Sequence, residues 1–104
     1  MNTGGEKVYP EEVELAIRVH SAVADCVVIG LPDERFGEMV VALLQTNQDC
    51  DEASIREHCK QQGLAGYKIP KRVIMVKDMR RAPNGKADYK LLRELASTQL
   101  GVDS

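Results

Sequence analysis

The chain has 104 residues, of which 43% are hydrophobic and 29% are charged, so it can form one compact domain with a modest core. Its formal net charge of -2 lacks the basic excess of a dedicated nucleic-acid-binding protein, and no apolar run is long enough to span a membrane. Three cysteines without a CxxC spacing predict reduced, structural thiols rather than a metal site or disulfides. We therefore expect a cytoplasmic domain that binds neither nucleic acid nor a metal ion.

The first half of the chain predicts a helix followed by two strands. Pro10 opens the helix, because proline is tolerated in a first helical turn and apolar residues then recur at helical spacing. The β-branched run 23–31 predicts a buried strand, and the turn-forming residues in 32–37 predict a connection. A second apolar run over 39–45 predicts the next strand.

The second half predicts a helix, a strand and a final helix. Residues 51–62 have an aspartate at the capping position, apolar residues four apart and Gly63 as a stop, which indicates a helix. Residues 72–76 predict a third strand. Proline, asparagine and glycine make 81–85 a loop, and 88–100 is a final amphipathic helix.

This order of elements predicts an α+β fold in which a small three-stranded sheet is flanked by helices, with a glycine-loop hairpin remnant at the N-terminus. No internal repeat or linker divides the chain, so we expect residues 1–104 to form a single domain. The polar start contains Gly4 and Gly5, and paired glycines let a backbone approach a ligand closely. A frayed terminus has the same composition, so the glycines alone leave both interpretations open.

The segment Pro83-Asn84-Gly85-Lys86 places a lysine directly after a tight turn and just before a helix. A turn presents the ammonium group outward on a rigid backbone, where it can pair with a phosphate or a carboxylate. From these four residues alone, a solvated surface lysine is the other interpretation. The segment lacks the GxxxxGK[ST] pattern, so it is not a P-loop.

A second candidate site is the basic stretch 68–86, which contains a single acid, Asp78. A local basic face inside an acidic chain predicts an anionic ligand, and the aromatic ring of Tyr67 just before it can stack on a base. The alternative is a loop that feeds a strand, with its lysines solvated. The basic residues of this stretch are Lys68, Lys71, Arg72, Lys77, Arg80, Arg81 and Lys86.

Three segments carry a resemblance to a known family. They are GGEKVYPEEVE from Gly4, VADCVVIGLPDERFGEMVVALL from Val23 and GYKIPKRVIMVKDMRRAPNGKADYKLLRE from Gly66. In this order and at these separations they resemble the C-terminal domain of the superfamily of acyl-CoA synthetases, amino-acid-adenylating domains and luciferases. The first segment is similar to fatty- and aromatic-acid CoA ligases. Its combination with LPDERFGE and AGYKIPK is similar to actinobacterial ligases for long-chain or sterol-derived acids.

The resemblance implies the mobile C-terminal domain of an acid–thiol ligase that acts in two steps. A carboxylic acid, typically a fatty acid, attacks the α-phosphate of ATP to give an acyl-adenylate, and the thiol of CoA then displaces AMP. A large N-terminal domain upstream of Met1 is expected to supply most of the ATP, Mg²⁺ and acyl sites, so residues 1–104 alone are expected to be inactive. The partners would be that domain, CoA and the acyl-adenylate.

The same resemblance assigns roles to individual residues. Lys86 is expected to be catalytic in adenylation, where its charge bridges carboxylate and phosphate oxygens. The small domain would then rotate, so that the glycine loop lines the pantetheine channel while Tyr67 contacts the CoA adenine and Lys71 its phosphates. Ile69 stands where some relatives carry a basic residue. The residues expected to bind CoA are Gly4, Gly5, Glu6, Tyr67 and Lys71.

Two alternatives to an acyl-CoA ligase stay open at this point. The same fold also suits an adenylating domain that loads a carrier protein, or an acyl-AMP ligase. A stand-alone module that binds an anion or a protein through the basic stretch 68–86 is the other alternative. The identity of the acyl group is not encoded in this chain, because the acyl pocket is expected to lie in the other domain.

Overall fold

A computed structural model describes residues 1–102 of the chain. The predicted α+β fold, with a three-stranded sheet and flanking helices, is confirmed. None of the helices in this range is long and apolar enough to cross a lipid bilayer. The elements are β1 (Asn2–Thr3), β2 (Glu6–Lys7), α1 (Pro10–Arg18), β3 (Val23–Asp33), β4 (Gly37–Thr46), α2 (Glu52–Gln61), a short 3-10 helix (Gly66–Lys68), β5 (Arg72–Met75) and α3 (Tyr89–Leu100).

The central sheet has the strand order β3-β4-β5. β3 and β4 form a long antiparallel hairpin that pairs Val23 with Thr46 at its open end and Asp33 with Gly37 at its turn. β5 runs parallel to β4, so the chain must cross over between these two strands, and α2 makes that crossover. β4 is therefore the central strand, and β3 and β5 are the edges.

The β3–β4 hairpin is tighter than the sequence predicts. Residues 32–37 are predicted as a connection, but the strands pair as far as Asp33 and Gly37. The prediction is therefore wrong at Pro32, Asp33 and Gly37, and only residues 34–36 form the turn. The Asp33 carboxylate closes the remaining turn by accepting the backbone N–H groups of Arg35 at 2.8 Å and Phe36 at 3.3 Å. Gly37 has a φ of 82°, a conformation that favours glycine. Proline, aspartate and glycine also occur at the last paired positions of a hairpin, so their presence does not fix where the strands end.

The sheet is buried on both faces, with α1 and α2 on one side and α3 on the other. Because both faces are covered, β3 and β4 have nearly continuous apolar sequences rather than an alternating pattern. The buried residues on the first side are Val8, Val13, Ile17, Cys26, Val28, Val40, Ala42, Leu44, Ile55, Cys59 and Val73. Those on the second side are Val27, Ile29, Leu31, Met39, Val41, Leu43, Ile74, Met79, Leu92 and Ala96.

Glutamates from the helices bind both edges of the sheet. Glu14 of α1 accepts the N–H of Val28 in β3 at 2.8 Å, and burial raises the pKa of this glutamate. Glu52 of α2 accepts the N–H of Val73 in β5 at 2.7 Å. These bonds occupy backbone donors that would otherwise be free to pair with another chain.

The N-terminal residues form the expected glycine-loop hairpin. Asn2 pairs with Lys7 and Thr3 with Glu6, so β1 and β2 are antiparallel and two glycines make the turn between them. Both glycines have positive φ angles, 57° and 84°, which L side chains rarely adopt. The start of the chain therefore forms an ordered hairpin rather than a frayed end.

We expect the three cysteines to differ in reactivity because they differ in access to solvent. Cys26 and Cys59 are buried, and burial raises the pKa of the Cys59 thiol to about 11 and that of Cys26 still further. Cys50 is half-buried. A thiol reagent should modify Cys50 at least about 100-fold faster than the other two, because they react only after local unfolding. Reaction kinetics would show a fast phase that Cys50→Ser abolishes, and its survival in that variant would contradict the assignment.

Candidate functional site

Lys86 ends a closed turn of residues 82–86, here called the lysine turn. The N–H of Ala82 donates to the carbonyl of Lys86 at 3.0 Å, and the N–H of Gly85 donates to the carbonyl of Ala82 at 2.8 Å. The side chain of Asn84 accepts the N–H of Lys86 at 3.0 Å. The Lys86 side chain is exposed and makes no ion pair within the described part of the chain. The turn thus presents a free ammonium group to solvent.

Arg81 joins the lysine turn to the sheet. Its Nη1 donates to the carbonyl of Gly85 at 2.9 Å, while its Nε and Nη2 donate to the two carboxylate oxygens of Asp25 at 2.8 and 2.9 Å. The Arg81 guanidinium lowers the pKa of Asp25, which lies near the start of β3. Sequence reasoning counted Arg81 only as a basic residue and missed Asp25. Residues 56 positions apart share no local pattern that could have revealed the pair.

A groove of about 620 Å³ lies beside the β1–β2 hairpin and is here called the hairpin groove. Gly4, Glu6, Tyr67 and Lys71 all line it, so four of the five residues predicted to bind CoA come together. Gly5, at the tip of the hairpin, is outside the lining. Sequence reasoning did not single out two further lining residues, Phe36 and Arg56, because each belongs to an element that reaches the groove only through folding.

The glycine loop packs directly against the turn between β3 and β4. The N–H of Gly4 donates to the carbonyl of Phe36 at 2.8 Å. A Cβ atom on Gly4 would lie 3.4 Å from Cδ1 of Phe36, and the φ of Gly4 is 57°. Glycine at this position therefore allows both the turn conformation and the close contact that closes one side of the groove.

Lys71 lines the hairpin groove, and its ammonium group pairs with an aspartate. Its Nζ is 2.7 Å from Oδ2 of Asp33 and 5.5 Å from the ring centroid of Phe36. The Asp33 side chain is only 7% exposed whereas that of Lys71 is 52% exposed, so the ammonium lies between a buried carboxylate and solvent. The hydrogen bond from Lys71 lowers the pKa of Asp33. An ammonium group has three donors, and the remaining ones can meet an anion in the groove.

Two aromatic rings line the hairpin groove with part of their surface exposed. Tyr67 is 41% exposed and Phe36 is 40% exposed, although large apolar rings are usually more deeply buried. Lys68 lies 5.7 Å from the Tyr67 ring and binds Glu12 of α1 at 2.6 Å, which anchors the short 3-10 helix. Accessible aromatic faces beside cations suit a ligand that combines a flat base with phosphates.

Four of the seven basic residues in the basic stretch are paired with acids from elsewhere in the chain. Folding brings acids from α1, α2 and β3 to this stretch, and four of its cations are paired with them. A count along the sequence could not include acids that are distant in the chain. The pairs are Lys68–Glu12, Lys71–Asp33, Arg72–Glu52 and Arg81–Asp25.

Among residues 1–102, no group of three or more His, Cys, Asp or Glu side chains is arranged to hold a metal ion. The two histidines do meet, with ring centroids 4.9 Å apart in an edge-to-face contact. His58 bonds the carbonyl of Ala16 at 2.8 Å, and His20 accepts the N–H of Ala22 at 3.0 Å. These contacts join α1 to α2 and to the start of β3, a structural role.

The Asp25–Arg81 pair should make the stability of the domain depend on pH. Because the folded-state pKa of Asp25 lies below its ordinary value of 3.8, its contribution is complete above that value and is lost as the pH falls through the folded-state pKa. We expect Asp25→Asn to lower the free energy of unfolding by about 1–3 kcal/mol at neutral pH. Chemical denaturation at several pH values should show this difference shrinking as the pH falls below 3.8.

Asp78→Asn is the matched control, because Asp78 is exposed and accepts only the N–H of Arg80, two residues away. It should change stability by less than about 0.5 kcal/mol. A destabilisation by Asp25→Asn that stays constant into acid would show that the carboxylate charge is not responsible.

Residues 12–86 match the protein family described as AMP-binding enzyme C-terminal domain. The chain is 45% identical over 96 residues to a 3-oxocholest-4-en-26-oate–CoA ligase of Rhodococcus rhodochrous, a match that covers 90% of this chain and 17% of the relative. It is 42% identical over 97 residues to triostin synthetase I of Streptomyces triostinicus, covering 92% of this chain and 18% of the relative.

The fold is similar to a solved structure of a Mycobacterium tuberculosis fatty acyl CoA synthetase. The TM-score is 0.88 at 41% sequence identity, and the match covers 95% of this chain and 20% of the larger one. The chain thus spans less than a quarter of the length of the relatives that it matches.

Proposed function

Because the chain belongs to the AMP-binding enzyme C-terminal domain family, we propose that it is the mobile C-terminal domain of an acyl-CoA ligase. This enzyme activates a carboxylic acid of the fatty or sterol-derived type with ATP and transfers the acyl group to CoA. One observation carries the proposal: the domain has two separate chemical surfaces, an exposed lysine on a closed turn and a groove that combines aromatic rings with cations.

Lys86 is the catalytic residue of the first step in this proposal. The acid carboxylate and the α-phosphate of ATP are both negative, so their approach needs a positive charge placed between their oxygens. The lysine turn is fixed by its internal hydrogen bonds, and Lys86 has no acidic partner in the described part of the chain to compete with these oxygens. ATP and Mg²⁺ would be held by the large domain of the enzyme.

The hairpin groove serves the second step, in which CoA is the substrate. Tyr67 and Phe36 offer ring faces to the adenine, and Lys71 and Arg56 offer charges to the phosphates. The pantetheine arm passes the glycine loop, where a backbone without side chains lets a ligand approach closely. The CoA sulfur then attacks the acyl carbonyl carbon, the C–S bond forms, and the C–O bond to AMP breaks.

The separation of the two surfaces supports a domain that rotates between the steps. The Lys86 turn is attached to Asp25 and the hairpin groove is attached to Asp33, through Arg81 and Lys71. These two aspartates are eight residues apart in β3, which at about 3.3 Å per residue separates them by about 26 Å. Surfaces anchored this far apart on one strand favour a domain that presents them to the reacting centre in turn.

Lys86→Ala in the full-length enzyme is expected to slow adenylation by about 100- to 1,000-fold, because it removes a preorganised charge from the transition state. Thioester formation from preformed acyl-adenylate should be nearly unchanged. Pyrophosphate exchange and single-turnover thioester formation measure the two steps separately. Lys77→Ala removes an exposed lysine from the same basic stretch and should affect neither step. Equal losses in both steps for Lys86→Ala would refute its assignment to adenylation.

Lys71→Ala and Arg56→Ala are each expected to raise the KM for CoA by about 10-fold, the effect of one lost charge-assisted contact to a phosphate. The KM for ATP and for the acid should stay within about 2-fold, since these substrates bind elsewhere. Steady-state kinetics with each substrate varied in turn would show the difference, with Lys90→Ala of α3 as the control. An increase shared by all three substrates would argue against a CoA groove.

A second candidate function is an adenylating domain that loads a carrier protein. The 42% identity to triostin synthetase I favours it, because that name does not describe a CoA ligase. The two functions differ in which acceptor releases AMP from the bound acyl-adenylate. Release that depends on CoA supports the ligase, whereas release that occurs only with a carrier protein supports the alternative.

A further inference from the structure

We propose that Arg81 and Asp25 form a clamp that positions Lys86 for adenylation. The clamp consists of the bidentate Arg81–Asp25 pair and the bond from Arg81 to the carbonyl of Gly85. The inference rests on the proposed role of Lys86, and it assigns to Arg81 and Asp25 a positioning role rather than contact with the substrate.

The clamp is the main attachment of an otherwise exposed loop. Met79 and Leu92 are both buried, and most of the chain between them is exposed. In the described part of the chain, the hydrogen bonds that leave residues 80–87 for the sheet are the two from Arg81 to Asp25. Ala87 adds partial packing against the α3 side of the core. Without the clamp, the lysine turn would lose its fixed direction, and its internal bonds would open more often.

The chemistry of the clamp requires an arginine. A guanidinium is a planar fork with donors on three nitrogens, and Arg81 uses Nε and Nη2 for the carboxylate while Nη1 reaches the turn. A lysine at this position could bind Asp25 or Gly85 through one nitrogen, but it would not fix the angle between sheet and turn. The guanidinium thus sets a direction as well as a distance.

The backbone before the clamp is in an unusual conformation. Arg80 has a φ of 54°, in the left-handed region that L side chains rarely adopt, and its N–H donates to Asp78 at 2.8 Å. Such strain persists only where surrounding contacts hold it, and it is common at functional sites. Here it lies between the buried Met79 and the half-buried Arg81, and it leaves Arg80 itself exposed. The conformation of Arg80 therefore allows the side chains of both Met79 and Arg81 to point toward the core and the sheet.

Asp25 is a rigid anchor because three groups hold it. Its Oδ1 accepts the N–H of Cys26 at 2.8 Å and lies 3.3 Å from Nη1 of Arg18. Arg18 in turn donates to the carbonyl of Cys26 at 2.6 Å. The carboxylate that Arg81 grips is thereby fixed to β3 and to the end of α1. A displacement of about 1 Å at a reacting group costs roughly 100-fold in rate, so this rigidity matters for Lys86.

The test uses Arg81→Ala, Arg81→Lys and Asp25→Asn in the full-length enzyme, with Arg80→Gln as the matched control. The three clamp variants should slow adenylation by about 10- to 100-fold and leave thioester formation within about 2-fold. The double variant of Asp25→Asn with Arg81→Ala should be no slower than the worse single variant, because the two residues act as one unit. Arg80→Gln removes a neighbouring charge but not the clamp, so it should leave both steps unchanged.

A second readout is independent of activity. In the 104-residue chain, the amide hydrogens of Gly85 and Lys86 are bonded within the lysine turn, and their exchange with deuterium reports its order. Arg81→Ala should speed this exchange by about 10-fold or more, while amides of β4 stay protected. Arg80→Gln should not change it.

The outcomes separate this inference from the proposed function. If Lys86→Ala abolishes adenylation but the clamp variants adenylate and exchange normally, the clamp is refuted and the proposed function stands. If Lys86→Ala adenylates at full speed, both fail together. Equal losses in the two steps for the clamp variants, with faster exchange throughout the sheet, would show a purely structural role and overturn the positioning role.

Discussion

The antiparallel pairing of β3 with β4 is the constraint on which the rest of the structure depends. The pairing runs from Val23 to Asp33, and helices bury both faces of the sheet. A ladder of this length that is covered on both sides is stiff, because its backbone groups are paired and its side chains are closely packed. Arg81, Lys71 and Gly4 each reach their place by contact with this hairpin.

Two aspartates near opposite ends of β3 attach the lysine turn and the hairpin groove to this rigid strand. Asp25 binds Arg81 beside the lysine turn, and Asp33 binds Lys71 beside the hairpin groove. In both pairs the cation comes from the basic stretch and lowers the pKa of the aspartate. The excess of positive charge in that stretch thus has a structural use: part of it attaches the loops to the sheet, and Lys86 is left unpaired in the described part of the chain.

The same arrangement fits the proposed function, in which one small domain serves two chemical steps. A charge that stabilises a transition state and a groove that binds a nucleotide have different demands, since the first needs an exposed, fixed cation and the second needs apolar surface with a few charges. The aspartates that anchor them lie about 26 Å apart along one rigid strand, so each surface has its own set of supporting contacts. In the proposed function, rotation of the whole domain, rather than rearrangement inside it, exchanges one surface for the other.

The sequence by itself determined the three helices, the three strands of the central sheet and the α+β class, because helical spacing, β-branched runs and turn residues are local properties. It also identified Lys86 as a candidate, because the turn residues that precede it form a local pattern. Only the tertiary structure decided that Asp25 holds Arg81, that Phe36 and Arg56 line the hairpin groove, and that four cations of the basic stretch are paired. These contacts join residues far apart in the chain, and no periodicity or short motif records which distant acid will meet which base. The order of strands in the sheet determines which residues meet, and that order forms only when the core is buried.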